Sequence, residues 1–127
     1  ERTKRYIDAG AEICFADGIG TREELEKFAK ELSGSGAYLV ANMIEGGKTP
    51  LIPAKELEQM GFSLVFWACS AVYTISKALY DLFGNLAQDG TTEKSLDRMI
   101  EFSRFNSMIG LDTYKEYERK YKVDRDD

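Results

Sequence analysis

Three short apolar runs constrain the fold of this chain more than any other feature: residues 12–16 (EICFA), 37–41 (AYLVA) and 64–68 (LVFWA). Each is continuous rather than alternating, which is how strands read when a parallel sheet is covered on both faces. Helical signals separate them. A helix carrying Tyr6, Ile7 and Ala9 runs into Gly10 before the first strand. After the turn Asp17-Gly18-Ile19-Gly20, Thr21 and Glu24 form a capping box, and Leu25, Phe28, Ala29 and Leu32 fall at i, i+3, i+4 and i+7. Pro53 and Ala54 open a short helix through Met60, stopped by Gly61.

The longest helix follows the third strand, with Ala71, Val72, Ile75, Ala78, Leu79, Leu82, Phe83 and Leu86 on one stripe. Ser70 is placed to cap it. A further helix is expected through Leu96, Met99, Ile100, Phe105, Met108 and Ile109, ending at Gly110. Asp112 then caps a charged last helix to about Tyr121, and 122–127 is a polar tail. The order (α)βαβαβαα has too few strands for a complete doubly wound sheet. Part of a (β/α)8 barrel explains it better, and since a whole barrel takes about 250 residues, roughly half would be present.

The chemistry is bounded by what the chain lacks. Histidine is absent, which excludes Ser-His-Asp and Cys-His nucleophilic sites, His-ligated zinc and imidazole acid–base work within this chain. A net charge of −5 argues against sequence-independent nucleic-acid binding, which needs a basic face. No run reaches the roughly 18 apolar residues of a membrane span, and no signal peptide is visible. Two cysteines, Cys14 and Cys69, are too few for a disulfide framework or a four-thiolate metal site; in apolar runs they read as buried, reduced thiols of a cytoplasmic protein.

In a parallel sheet the informative positions follow the strand C-termini. Asp17 follows the first strand, as a group for a substrate hydroxyl or a water on a cation, or as a turn residue. Asn42 follows the second, offering its amide to a carboxylate or carbonyl, or pinning its own loop. Glu45 is an acid or base candidate, or a solvated loop carboxylate. After the third come Cys69, a nucleophile without a histidine to activate it or a small buried thiol, then Ser70, and Tyr73 one turn into the helix. The run Gly46-Gly47-Lys48-Thr49-Pro50 invites a phosphate-loop reading, but the Walker pattern needs Gly where Asn42 stands. Lys48 is left as a loop cation or an anion anchor. Tyr114, Tyr117 and Tyr121 form a packing stripe, suited to contact with this subunit or another.

Several stretches, in order along nearly the whole chain, carry a family resemblance. They are Tyr6-Ile7-Asp8-Ala9-Gly10-Ala11-Glu12, the run from Ala41 to Leu51 (ANMIEGGKTPL), Glu58-Gln59-Met60-Gly61-Phe62, Ser70-Ala71-Val72-Tyr73 and Asp89-Gly90-Thr91-Thr92. Together they resemble the isocitrate lyase/phosphoenolpyruvate mutase superfamily, and within it the petal death protein-like group of oxaloacetate hydrolases and 2-alkylmalate lyases. The resemblance implies an α/β fold, the C-terminal half of a (β/α)8 TIM-type barrel with extra C-terminal helices. Residues 1–127 would be the C-terminal portion of that single domain, with the N-terminal half outside this chain.

The resemblance also implies a magnesium-dependent lyase or hydrolase breaking a carbon–carbon bond in a small 2-hydroxy or 2-keto dicarboxylate. Implied partners are that substrate and further copies of the chain, as a homodimer or homotetramer exchanging its C-terminal helix. Its Mg²⁺ ligands and catalytic loop would lie in the N-terminal half, leaving no metal ligand or catalytic residue in this segment. The implied substrate-binding residues are Asp17, Asn42, Ile44, Glu45 and Tyr73. Asn42 stands at the superfamily's substrate asparagine and Asp17 where a Glu is usual. Ile44 replaces a hydroxyl side chain of methylisocitrate lyases. Tyr73 and Phe102 stand where those lyases hold carboxylates with arginines, so a dicarboxylate is favoured over a tricarboxylate. The alternatives are a phosphonate P–C bond enzyme and a non-catalytic relative.

Overall fold

The computed structural model describes residues 1–122, so all but the first residue of the expected polar tail lies outside the described residues. The chain divides into two compact units, Glu1–Lys77 and Ala78–Asp127, with the division falling inside one long helix.

The first unit contains α1 (Arg2–Asp8), β1 (Ile13–Phe15), α2 (Arg22–Leu32), β2 (Tyr38–Met43), α3 (Ala54–Met60), β3 (Leu64–Trp67) and the start of α4 (Ser70–Asp89). The three strands form one parallel sheet in the order β1-β2-β3. Thr21 caps α2, its Oγ1 accepting the Glu24 N–H at 3.1 Å. The reciprocal half of the expected box is shifted by one residue: Glu24 Oε2 accepts the N–H of Gly20, not that of Thr21. Gly61 ends α3 at φ 106°, a left-handed conformation that a side chain disfavours.

Register sorts the strand side chains onto two faces. Cys14, Leu39, Ala41 and Met43 point to one side, where they pack with Leu25, Ala29 and Leu32 of α2, Leu57 of α3, Ile52 and Phe62. Met43 is 0% and Leu57 1% exposed, and they are the largest fully buried side chains of this core. Ile13, Phe15, Tyr38, Leu64 and Phe66 point to the other side and are exposed. The expectation of burial on both faces is therefore corrected for the described residues: α2 and α3 cover one face of the sheet, side chains on the other are exposed, and β2 alone is largely buried. Val40 is 7% exposed although it belongs to the bare face. The cause is local. The two outer strands stand roughly 10 Å apart across β2, yet the rings of Phe15 and Phe66 meet at 5.8 Å, so they lean over the central strand.

Strand limits also differ from the expected ones. β2 continues through Asn42 and Met43 because these pair with Phe66 and Trp67, which places Asn42 inside the strand rather than after it. β1 and β3 are each shorter than their apolar runs.

The second unit holds the rest of α4, a 3-10 helix (Glu93–Arg98), α5 (Phe102–Met108) and α6 (Leu111–Tyr121). The single helix expected through Leu96 and Ile109 is instead two, because Met99 and Glu101 are extended (ψ 149° and 144°) and interrupt it. The last helix begins after Gly110, at φ 74°, so Asp112 lies in its first turn and does not cap it. Ser95 is the one buried polar residue among those described, and its hydroxyl accepts from Asn85 Nδ2 at 3.3 Å.

Candidate functional site

Parallel strands deliver all three C-termini to one edge of the sheet, and the polar residues of the following loops collect there. Asp17 and Gly18 beyond β1, Asn42 at the end of β2, and Ile44, Gly47, Lys48 and Thr49 beyond it line a cavity of about 280 Å³. Asn42 enters it from the bare face of the sheet, on the same side as Phe66. Its Oδ1 is buried without a hydrogen-bond donor. An unpartnered carboxamide oxygen can accept from a ligand or water hydrogen, and the same amide carries donors that suit a carboxylate or carbonyl oxygen.

Two glycines fold the loop onto its own strand. The N–H of Gly47 donates to the carbonyl of Ile44 at 3.0 Å, closing a turn whose third residue, Gly46, has φ 73°. A Cβ on Gly47 would meet the Ile44 carbonyl oxygen at 3.1 Å and its Cβ at 3.2 Å. The pair thus brings Lys48 and Thr49 back to the strand end. The base of the loop is tied inside the core, where the N–H of Ile52 donates to Sδ of Met43 at 3.4 Å.

Glu45 and Tyr73 form a second cluster. Ser70, at the first turn of α4, donates its hydroxyl to Glu45 Oε1, so it links the loop to the helix and is not the expected cap. That bond, and then Glu45's own backbone N–H, hold the Glu45 carboxyl below its ordinary value, while desolvation pushes the other way. Glu45 Oε2 is buried and has no donor. The phenol of half-exposed Tyr73 is pushed above its ordinary value, first by its hydrogen bond with Cys69 and then by the charges of Cys69 and Glu45 with desolvation between them. Tyr73 is therefore a neutral hydrogen-bond partner, and Cys69 is half-buried beside it.

The structure thus gathers Asp17, Asn42 and Ile44 around one cavity and sets Glu45 and Tyr73 apart with Ser70. Among the described residues no group of three or more His, Cys, Asp or Glu side chains is arranged to hold a metal ion. Thr49 stood among the positions following the second strand, whereas the tie between Ser70 and Glu45 carried no signal in the sequence. Lys48 could be weighed there only as a loop cation or an anion anchor, and its place at the cavity depends on the glycine turn.

No protein-family model matches the chain. Over 125 residues it is 37% identical to 2,3-dimethylmalate lyase of Eubacterium barkeri, covering 98% of this chain and 42% of that protein. It is 39% identical over 121 residues to the petal death protein of Dianthus caryophyllus, covering 95% of this chain and 37% of that one. The crystal structure of a 2,3-dimethylmalate lyase, 29% identical, superposes over 94% of this chain and 40% of the solved one with a TM-score of 0.78. The helices, the parallel strands and the sequence thus agree on one class. The chain belongs to the phosphoenolpyruvate mutase/isocitrate lyase superfamily. It spans about two fifths of the length of the curated relatives it matches.

Proposed function

We propose that this chain is the C-terminal part of a (β/α)8 barrel and contributes a substrate-binding edge to an enzyme that breaks a carbon–carbon bond. The substrate would be a small 2-hydroxy or 2-keto dicarboxylate. The observation that carries the reading is the cavity joining Asp17, Asn42 and Ile44 at the strand C-termini, in a chain related to 2,3-dimethylmalate lyase. Asn42 would orient a carboxylate or carbonyl through its amide nitrogen. Asp17 would accept a hydroxyl or a water hydrogen. Ile44 would pack against an alkyl substituent, and Glu45 and Tyr73 would shape the neighbouring wall.

The bare sheet face supports the barrel reading, because in a closed barrel Ile13, Phe15, Leu64 and Phe66 would face the packed interior. Magnesium, if used, would be held by residues preceding Glu1. The exposed Tyr114, Tyr117 and Tyr121 of α6 support an exchange of this helix between copies in a homodimer or homotetramer. The full-length protein should turn over 2-methylmalate or oxaloacetate, with loss of activity in a chelator, and the isolated 127 residues should not. Turnover of phosphonopyruvate in their place would assign P–C chemistry. No turnover of any of the three would overturn the enzyme reading.

A further inference from the structure

We infer that Glu45 is a positioning residue: bound by the Ser70 hydroxyl of α4, its carboxylate holds the loop after β2 in place over the strand-end cavity. Ile44, Gly47, Lys48 and Thr49 all reach that cavity from this loop, so where the loop sits decides one wall. With the cavity read as the substrate site, a displaced wall is a displaced substrate.

Strand register brings the two partners together. β2 and β3 are adjacent and parallel, and Met43 pairs with Trp67. Glu45, two residues past Met43, and Ser70, three past Trp67, therefore leave the same edge of the sheet side by side. Their bond is the only side-chain hydrogen bond among the described residues that joins residues 44–51 to another element. The other constraints on the loop are internal or lie at its base: Gly47 donates to the Ile44 carbonyl, and Ile52 to Met43 Sδ. They give the loop its shape without fixing it against the helix that follows β3.

The chemistry of the pair suits a fixed tie. A serine hydroxyl donates to a carboxylate that can only accept, and a bond to a charged acceptor is stronger than a neutral one. Ser70 opens a 20-residue helix, whose N-terminal end favours a negative charge. The Glu45 carboxyl, held below its ordinary value, is ionised at neutral pH. Its second oxygen, Oε2, is buried, and Glu45 itself does not line the cavity. It acts there through the backbone it carries, between Ile44 and the turn at Gly46 and Gly47.

The test uses the full-length protein, measuring turnover of 2-methylmalate and oxaloacetate together with amide hydrogen exchange across residues 44–51 and β2. In Ser70→Ala and in Glu45→Ala, kcat/KM should fall about 10- to 100-fold. The loop amides should exchange about 10-fold faster while those of β2 keep their wild-type rates. Ser70→Thr keeps the hydroxyl and should recover most of both losses. The double variant should lose no more activity than the worse single one, because each substitution removes the same tie. Additive losses would make Glu45 a substrate contact in its own right and overturn the positioning role. Equal acceleration in β2, or unchanged kcat/KM with a loosened loop, would overturn it as well. A wild type that turns over neither acid would sink the enzyme reading and leave the tie to the exchange rates: faster loop exchange in Ser70→Ala supports it, and unchanged exchange overturns it.

Discussion

Up to Lys77 and beyond it, the chain uses similar apolar residues to different ends. Every buried apolar side chain among the described residues, from Cys14 to Phe62, belongs to the first unit. In the second, Phe102, Met108, Ile109 and Tyr114 are exposed, and the one buried residue is polar Ser95. The first unit has a sheet that α2 and α3 can cover, so its helices have a surface to bury against. The second has helices alone, two of them short, and ion pairs such as Lys94–Asp89 at 3.0 Å and Arg98–Asp81 at 3.6 Å. Such exposed pairs contribute about 0–1 kcal/mol each. An amphipathic stripe thus records that a helix has something to cover without saying where that surface is.

Truncation is the harshest way to break this comparison. Leu57→Ala, at a side chain 1% exposed, should lower unfolding stability by about 2–5 kcal/mol in urea melts of the full-length protein. Phe102→Ala, at one 83% exposed, should stay within about 0.5 kcal/mol. Equal losses would mean that the second unit's apolar surface is covered in solution, and the contrast would fail.

A smaller effect sharpens the contrast in how helices begin. The start of α2 is held by the Thr21 hydroxyl, whereas α6 starts from Gly110 with no side-chain cap. Thr21→Ala should cost about 1 kcal/mol, read from the same melts; no loss would put the stability of α2 in its buried face alone.

The smallest expected change concerns the first unit's own charge. A carboxyl held below its ordinary value stabilises the fold above that value, and the contribution is lost as pH falls through the lowered one. For Glu45 the ordinary value is 4.5, so the window lies below it. Ser70→Ala removes the main cause and should move the Glu45 carboxyl titration, followed by ¹³C NMR, upward toward 4.5. The variant should then lose less stability than the wild type on acidification. An unmoved titration would mean that the backbone N–H of Glu45 suffices.

Much of the first unit was legible because its signals are local. The apolar runs mark the strands, the spacing from Leu25 to Leu32 marks α2, and Gly61 marks the end of α3. What escaped depends on distant partners. The strand β2 gains Asn42 and Met43 from pairing with β3, and Ser70 leaves its capping place for a carboxylate 25 positions earlier. The break at Met99–Glu101 interrupts a stripe whose hydrophobic spacing gives no warning. At the candidate site the strand-end rule pointed to Asp17 and Asn42, which line one cavity, while Ile44 beside them was singled out by the family resemblance alone. The rule could not separate Glu45 and Tyr73 from them, because which way a loop residue turns is set by the helix it meets.

The sulfur–amide tie between Met43 and Ile52 separates two kinds of constraint. Both residues are sealed in the core, and residues 44–51 leave and return through that fixed base. Changes within the loop are therefore insulated from the packing beneath it. A fastened base lets such a segment be rewritten like an exchangeable cassette, so a new ligand preference can arise there without the scaffold being rebuilt.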